Sequence, residues 1–198
     1  MRIIGGTAAG LLLKAPKGFE VRPTPDLVKQ ALFNSLGGRV VEARVLELFA
    51  GTGALGLECL SRGAAHLTCV EKTSRHARLI EENLRSTHLD AEKFTLRVQD
   101  AFAAMTQLAA AGCQFDMVVA DPPYGEKNVG HRSTSFAQQL LDDAQLPRLL
   151  APEGLFVLGH ARRDTLSIPG TWEEIKMLKH GDSMLRFFET VKAVRETE

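Results

Sequence analysis

The sequence predicts an α/β chain: a mainly parallel sheet with helices on both faces and an antiparallel edge at its C-terminal side. Three observations carry this. From Arg44 onward, short buried-type runs alternate with helical segments, and repeated βα units imply parallel strands joined by crossover helices. Two further strand-like runs, 172–178 and 183–189, flank Gly181-Asp182 with no helix between them, as an antiparallel hairpin would. Gly51, Gly53 and Gly56 stand between the first strand and its helix in GxGxxG spacing, which permits a tight turn and close helix packing.

The elements follow in order. Arg2-Ile-Ile-Gly-Gly and Leu11-Leu-Leu-Lys-Ala are apolar runs separated by glycines, which predicts a short hairpin. In Arg22-Pro-Thr-Pro-Asp, Thr24 suits an N-cap, Pro25 the first helical position and Asp26 the positive end of the helix dipole. That helix runs to Leu36, and Gly37-Gly38 stop it. Strands are expected at 45–49, 67–70, 94–98, 115–120 and 154–158, and helices at 54–62, 74–87 and 102–111. A polar loop over 125–134 leads into a helix reaching about Leu150. The weakest boundary lies near residue 40, dividing an arm, 1–40, from a body, 41–198.

The composition, 44% hydrophobic and 24% charged, is that of a globular chain. No apolar stretch approaches the roughly 20 residues of a membrane helix. The opening residues show no apolar run ending in a cleavage site, so a cytoplasmic protein with no membrane association is expected. Cys59, Cys69 and Cys113 have neither zinc spacing nor disulfide context and read as reduced packing residues. The six histidines show no ligand spacing, and no metal is expected. The 24 basic and 24 acidic residues cancel, but unevenly: residues 1–44 hold seven Lys/Arg against three Asp/Glu, and residues 45–159 ten against fourteen. A basic arm therefore precedes an acidic body.

In such sheets ligands bind beyond the carboxyl ends of the strands. Glu71 ends the second strand twenty residues after Gly51, a position from which a carboxylate accepts both ribose hydroxyls. NAD and S-adenosylmethionine fit equally to this point, since both contain adenosine. Asp100, after the third strand, suits an adenine amino group, with the Ala101 backbone and Phe102 beside the ring, and equally suits a helix N-cap. Asp121-Pro-Pro-Tyr follows the fourth strand, and two prolines cannot continue a parallel strand. The product is a stiff turn presenting a carboxylate, free carbonyls and the ring of Tyr124, the only tyrosine of the chain. Asp121 and the Pro122 carbonyl can accept both hydrogens of an exocyclic amine while Tyr124 stacks on its base. The nitrogen lone pair is thereby localised for attack on a sulfonium methyl. A nicotinamide enzyme has no evident need for such a turn.

Asp121-Pro-Pro-Tyr, Leu48-Phe-Ala-Gly-Thr-Gly-Ala-Leu-Gly and Val70-Glu-Lys resemble the class I S-adenosylmethionine-dependent methyltransferases that act on amino groups, a Rossmann-like fold. Met1-Arg-Ile-Ile-Gly-Gly, Arg22-Pro-Thr and Ala31-Leu-Phe-Asn narrow the resemblance to the RsmD family, which methylates the 2-amino group of a guanine in small-subunit (16S) ribosomal RNA. The resemblance runs from Met1 to Leu185-Arg-Phe-Phe and implies a seven-stranded sheet with an RNA-holding N-terminal hairpin. It also implies that Glu47, Gly51 and Gly53 line the methionine and ribose end of the cofactor, with Phe49 and Lys72 in the same pocket. Glu71 would hold the ribose hydroxyls, and Asp100 with Ala101 the adenine. Asp121, Pro122, Pro123 and Tyr124 would receive the base, and Arg22 and Thr24 would close the pocket. The expected partner is 16S ribosomal RNA within the small subunit or an assembly intermediate, and the protein is expected to be a monomer. The chain departs from the family pattern at Thr7, Ala8, Ala9 and Leu11, where relatives carry basic residues, and at Gly159-His160, where an acidic residue is usual. Arg162-Arg163 are either a compensating phosphate contact or a solvated surface pair. The alternatives are a DNA adenine-N6 or other amino-group methyltransferase, a nicotinamide-dependent oxidoreductase, and an RNA-binding assembly factor without activity.

Overall fold

The computed structural model describes residues 1–16, 26–125, 127–128 and 131–191. Helix α1 (Asp26–Leu36) precedes five βα-type strands: β1 (Arg44–Leu48), β2 (His66–Glu71), β3 (Phe94–Val98), β4 (Phe115–Ala120) and β5 (Leu150–Ala161). Between them lie α2 (Ala54–Ser61), α3 (Ser74–Ser86), α4 (Ala101–Ala110) and α5 (Phe136–Asp142), and β6 (Trp172–His180) and β7 (Ser183–Thr190) close the described chain. The strands form one seven-stranded sheet in the order β3-β2-β1-β4-β5-β7-β6. β1 to β5 pair in parallel, and β7 runs antiparallel to both β5 and β6.

The central strands form because their residues are apolar on both faces. Val45, Leu46 and Leu48 of β1 are fully buried, and each such side chain stabilises the fold by about 1.5–3 kcal/mol. One core lies on the side of α1, α2 and α3 and includes Val45, Val119 and Val157. The other lies under α4 and α5 and includes Leu46, Val118 and Phe156. No helix among the described residues is long and apolar enough to cross a membrane.

The N-terminal arm folds back as expected of a hairpin, with a single antiparallel bridge between Arg2 and Leu12. Its Ile3, Ala8 and Leu13 are buried in the first core. Glu58 of α2 holds it down: the amides of Ile4 and Gly5 donate to the two carboxylate oxygens at 2.7 and 2.8 Å. Arg62 Nε donates to the same carboxylate at 2.8 Å, and the Lys29 ammonium lies 3.4 Å from it while also donating to the Arg2 carbonyl. The double glycine makes this approach possible, because a Cβ on Gly6 would stand 1.7 Å from the Ser61 carbonyl oxygen.

Two expectations need correction. The helix after the polar loop does not reach Leu150 but ends at Asp142. Asp143 turns extended and caps the next turn instead, its carboxylate accepting the amides of Gln145 and Leu146 at 2.7 and 3.1 Å. Leu146–Leu149, with Pro147 near its start, is a separate 3₁₀ turn. The fifth strand starts at Leu150 rather than at 154, and its register with β4 shifts between Phe115 and Met117. Glu153, at φ 65°, marks the irregular stretch, which no alternation in the sequence reveals. The N-cap assigned to Thr24 lies outside the described residues.

Candidate active site

A cavity of about 550 Å³ lies at the carboxyl ends of β1 to β4. β1 pairs with β2 on one side and β4 on the other, so this is where the winding of the sheet reverses and a crevice opens. Glu71 reaches its wall from the end of β2. The Gly51 amide donates to Glu71 Oε2 and the Thr73 amide to Oε1, each at 2.8 Å. An ionised carboxylate has about four acceptor sites, so each oxygen retains capacity for a ligand hydroxyl in a fixed orientation. Gly51 adopts φ 58°, a conformation glycine reaches without strain, and thereby aims its amide at Glu71.

Asp100 caps α4, accepting the amides of Phe102 and Ala103 at 3.0 and 3.4 Å, while Lys72 Nζ stands 3.3 Å from its other oxygen. Burial opposes ionisation of Asp100, yet those amides and the ammonium outweigh it and hold the carboxyl below its ordinary pKa. Asp100, Ala101 and Lys72 all line the cavity. Beside Asp100, the buried Gln99 Nε2 has no hydrogen-bond partner among the described residues, and Gln99 also lines the cavity. Phe49 forms an apolar wall with Phe136 of α5, their ring centroids 5.4 Å apart.

At the other end stand Asp121, Pro122, Pro123 and Tyr124. The Tyr124 hydroxyl donates to Ser183 Oγ at 2.8 Å, so the ring is tethered to the first residue of β7. The Asp121 carboxyl lies against Gly159 of β5, where an added Cβ would stand 2.3 Å from Oδ1 and 2.9 Å from Cγ. Gly159 thus supplies the space that Asp121 occupies. Gly159→Ala is expected to displace that carboxyl and lower turnover about 10- to 100-fold, with ligand affinity and melting temperature nearly unchanged. Full turnover with the alanine would refute the positioning role.

Two residues expected in the wall sit behind it. Glu47 is 3% exposed and does not line the cavity. Burial drives its pKa up to about 7, against hydrogen bonds from the Cys69 thiol and the Gly56 and Leu55 amides. It therefore braces the glycine turn from below. Gly56 is required there, since a Cβ would meet Glu47 Oε2 at 2.5 Å and Leu67 at 2.6 Å. Gly53 starts α2 at φ 73° and packs on Ile80. Arg22 and Thr24 lie outside the described residues. Phe136, Gln99, Ser183 and Leu185 join the site unannounced. Gln99 comes with its neighbour Asp100 at the end of β3, whereas Phe136 and Ser183 belong to no local motif and arrive by tertiary folding alone.

The glycine turn argues against a dinucleotide. A pyrophosphate needs the turn's free amides, but Gly51 donates to Glu71 and Gly53 to the Ala50 carbonyl at 2.8 Å. The antiparallel β7 between β5 and β6 also departs from the parallel 3-2-1-4-5-6 order of dinucleotide folds.

The family model described as conserved hypothetical protein 95 matches residues 1–189. The chain belongs to the RsmD family. A Bacillus subtilis relative, YlbH, named as a candidate rRNA methyltransferase, is 34% identical over 179 residues, 90% of this chain and 91% of its own. Ribosomal RNA small subunit methyltransferase D of Escherichia coli K12 is 39% identical over 128 residues, 63% of this chain and 60% of its own. The solved structure of a hypothetical protein from Thermus thermophilus superposes with a TM-score of 0.78 at 30% identity, covering 96% of this chain and 99% of that one. The basic arm, the Asp121 turn and the antiparallel edge are therefore read together as parts of an RsmD-family fold.

Proposed function

We propose that this RsmD-family protein transfers a methyl group from S-adenosylmethionine to the exocyclic 2-amino group of a guanine in small-subunit ribosomal RNA. The observation that carries the reading is the joining of two halves in one cavity: an adenosine-type half at Glu71, Gln99 and Asp100, and an amine-type half at Asp121 and Tyr124. The residues fit the cofactor. Glu71 offers two pre-oriented oxygens for ribose hydroxyls, and the partnerless Gln99 amide suits a ring nitrogen of adenine. The bound cofactor supplies an electrophilic sulfonium methyl.

The chain's part is positioning. The guanine is extruded or already unpaired when it enters the slot beside Tyr124. Asp121 and the Pro122 carbonyl accept its amino hydrogens, and the tethered ring holds the base plane. Asp121 takes the proton that becomes acidic only after transfer, so no base of raised pKa is needed before attack. Neutral thioether departure leaves little charge to stabilise, and most of the acceleration comes from alignment. Residues 1–40, which carry the positive excess and of which Ile4, Gly5, Ala8 and Lys29 contact α2, form the RNA-contacting arm. The partner is the small subunit or an assembly intermediate, met by a cytoplasmic monomer.

The test has two arms. Calorimetry is expected to show binding of S-adenosylhomocysteine and none of NADH. Nucleoside mass spectrometry of small-subunit RNA is expected to show N2-methylguanosine lost at one site in cells lacking the protein. NADH binding without adenosylhomocysteine binding, or unchanged N2-methylguanosine, would overturn the reading.

A further inference from the structure

The base end of the cavity is rich in acceptors and poor in donors. Asp121 is a carboxylate, Pro122 and Pro123 have no amide hydrogen, and the Tyr124 hydroxyl is engaged with Ser183. Such a set accepts hydrogens from the N1 and N2 groups of guanine. Beyond the single hydroxyl of Ser183, it gives nothing to the O6 and N7 acceptors on the opposite edge. A slot that holds only the amine side would admit other amino-bearing bases.

Arg163 supplies the missing donors. It follows the end of β5, lines the same cavity as Asp121 and Tyr124, and makes no ion pair among the described residues. Its Nε donates to the carbonyl of Gly125, the residue after Tyr124, at 3.4 Å. That contact uses one of the five N–H donors of the guanidinium and leaves the others for a ligand.

Resting on the function proposed above, we infer that Arg163 is the specificity-determining residue that reads the O6/N7 edge of the target guanine while Asp121 holds its 2-amino group. Arginine to guanine O6 and N7 is the commonest specific pairing between side chain and base. Arg163 is exposed at the mouth of the cavity, the side toward which a base holding its amine at Asp121 turns its opposite edge, and this favours a base contact.

Salt and side-chain geometry separate the two. Small subunits from cells lacking the protein are methylated by the wild type, Arg163→Ala and Arg163→Lys over a range of salt. The expected result is a fall in kcat/KM of about 10- to 100-fold for alanine. Lysine should give no rescue, because it lacks the planar fork. The dependence of log KM on log salt should match the wild type. Adenosylhomocysteine binding by calorimetry should be unchanged in both variants. A phosphate contact predicts the opposite: a slope shallower by about one, with lysine restoring activity. That result, or undiminished activity with alanine, overturns the inference. If the wild type itself forms no N2-methylguanosine, the proposed function fails, and that arm is read before the variants.

Discussion

Asp121→Ala is expected to lower methyl transfer by about 10³-fold or more while adenosylhomocysteine binds with nearly wild-type affinity. The carboxyl lies at the base end of the cavity, against Gly159 of β5, whereas the adenosine-type residues are anchored on β2 and β3. Its removal deletes the acceptor that orients the amine, a loss typical of groups acting at the reacting atom. Single-turnover rates with calorimetry on the same preparation provide the check. Loss of rate and ligand affinity together would indicate collapse of the turn, and an unchanged rate would refute the amine site. The double variant Asp121→Ala/Gly159→Ala should be no slower than Asp121→Ala, because the alanine at 159 then has no carboxyl to displace.

Glu58→Ala is expected to cost about 3–5 kcal/mol of stability, the range for removing one partner of a buried ion pair. Glu58 and Lys29 are fully buried. Burial lowers the Lys29 pKa, and the Glu58 charge opposes that shift. Without Glu58, the Lys29 ammonium must shed its proton or remain unpaired, and the Ile4 and Gly5 amides lose their acceptor. Urea unfolding should show a lower midpoint with an unchanged slope, and amide exchange in residues 1–16 should accelerate most. A midpoint within error of wild type would show that the clamp contributes nothing.

Much of the architecture was legible because its signals are local. β3 and β4 fall on the expected residues, since an alternating run ending at Gln99-Asp100 and an apolar run ending at Asp121-Pro122 announce their own limits. The placement of Glu71 beside Gly51 also follows from strand order. The errors arose where the outcome depends on distant residues. The end of α5 is decided by Asp143 capping the next turn rather than by any helix breaker at that point. Glu47 reads as a wall residue from its place beside the glycine turn. Which side of the turn it takes depends on Gly56 and Cys69, and these draw it underneath. Ser183 carries no motif, and its pairing with Tyr124 spans 59 positions.

The Tyr124–Ser183 tether bears on how such a protein diverges. The aromatic platform is fastened to β7, and the polar stretch over 125–134 follows it in the chain. Lineages are therefore free to lengthen, shorten or rewrite that stretch, and so to change which RNA structure is admitted, while the chemistry beneath stays in register. Evolutionary change should accumulate fastest just after Gly125 and slowest at the two ends of this one hydrogen bond.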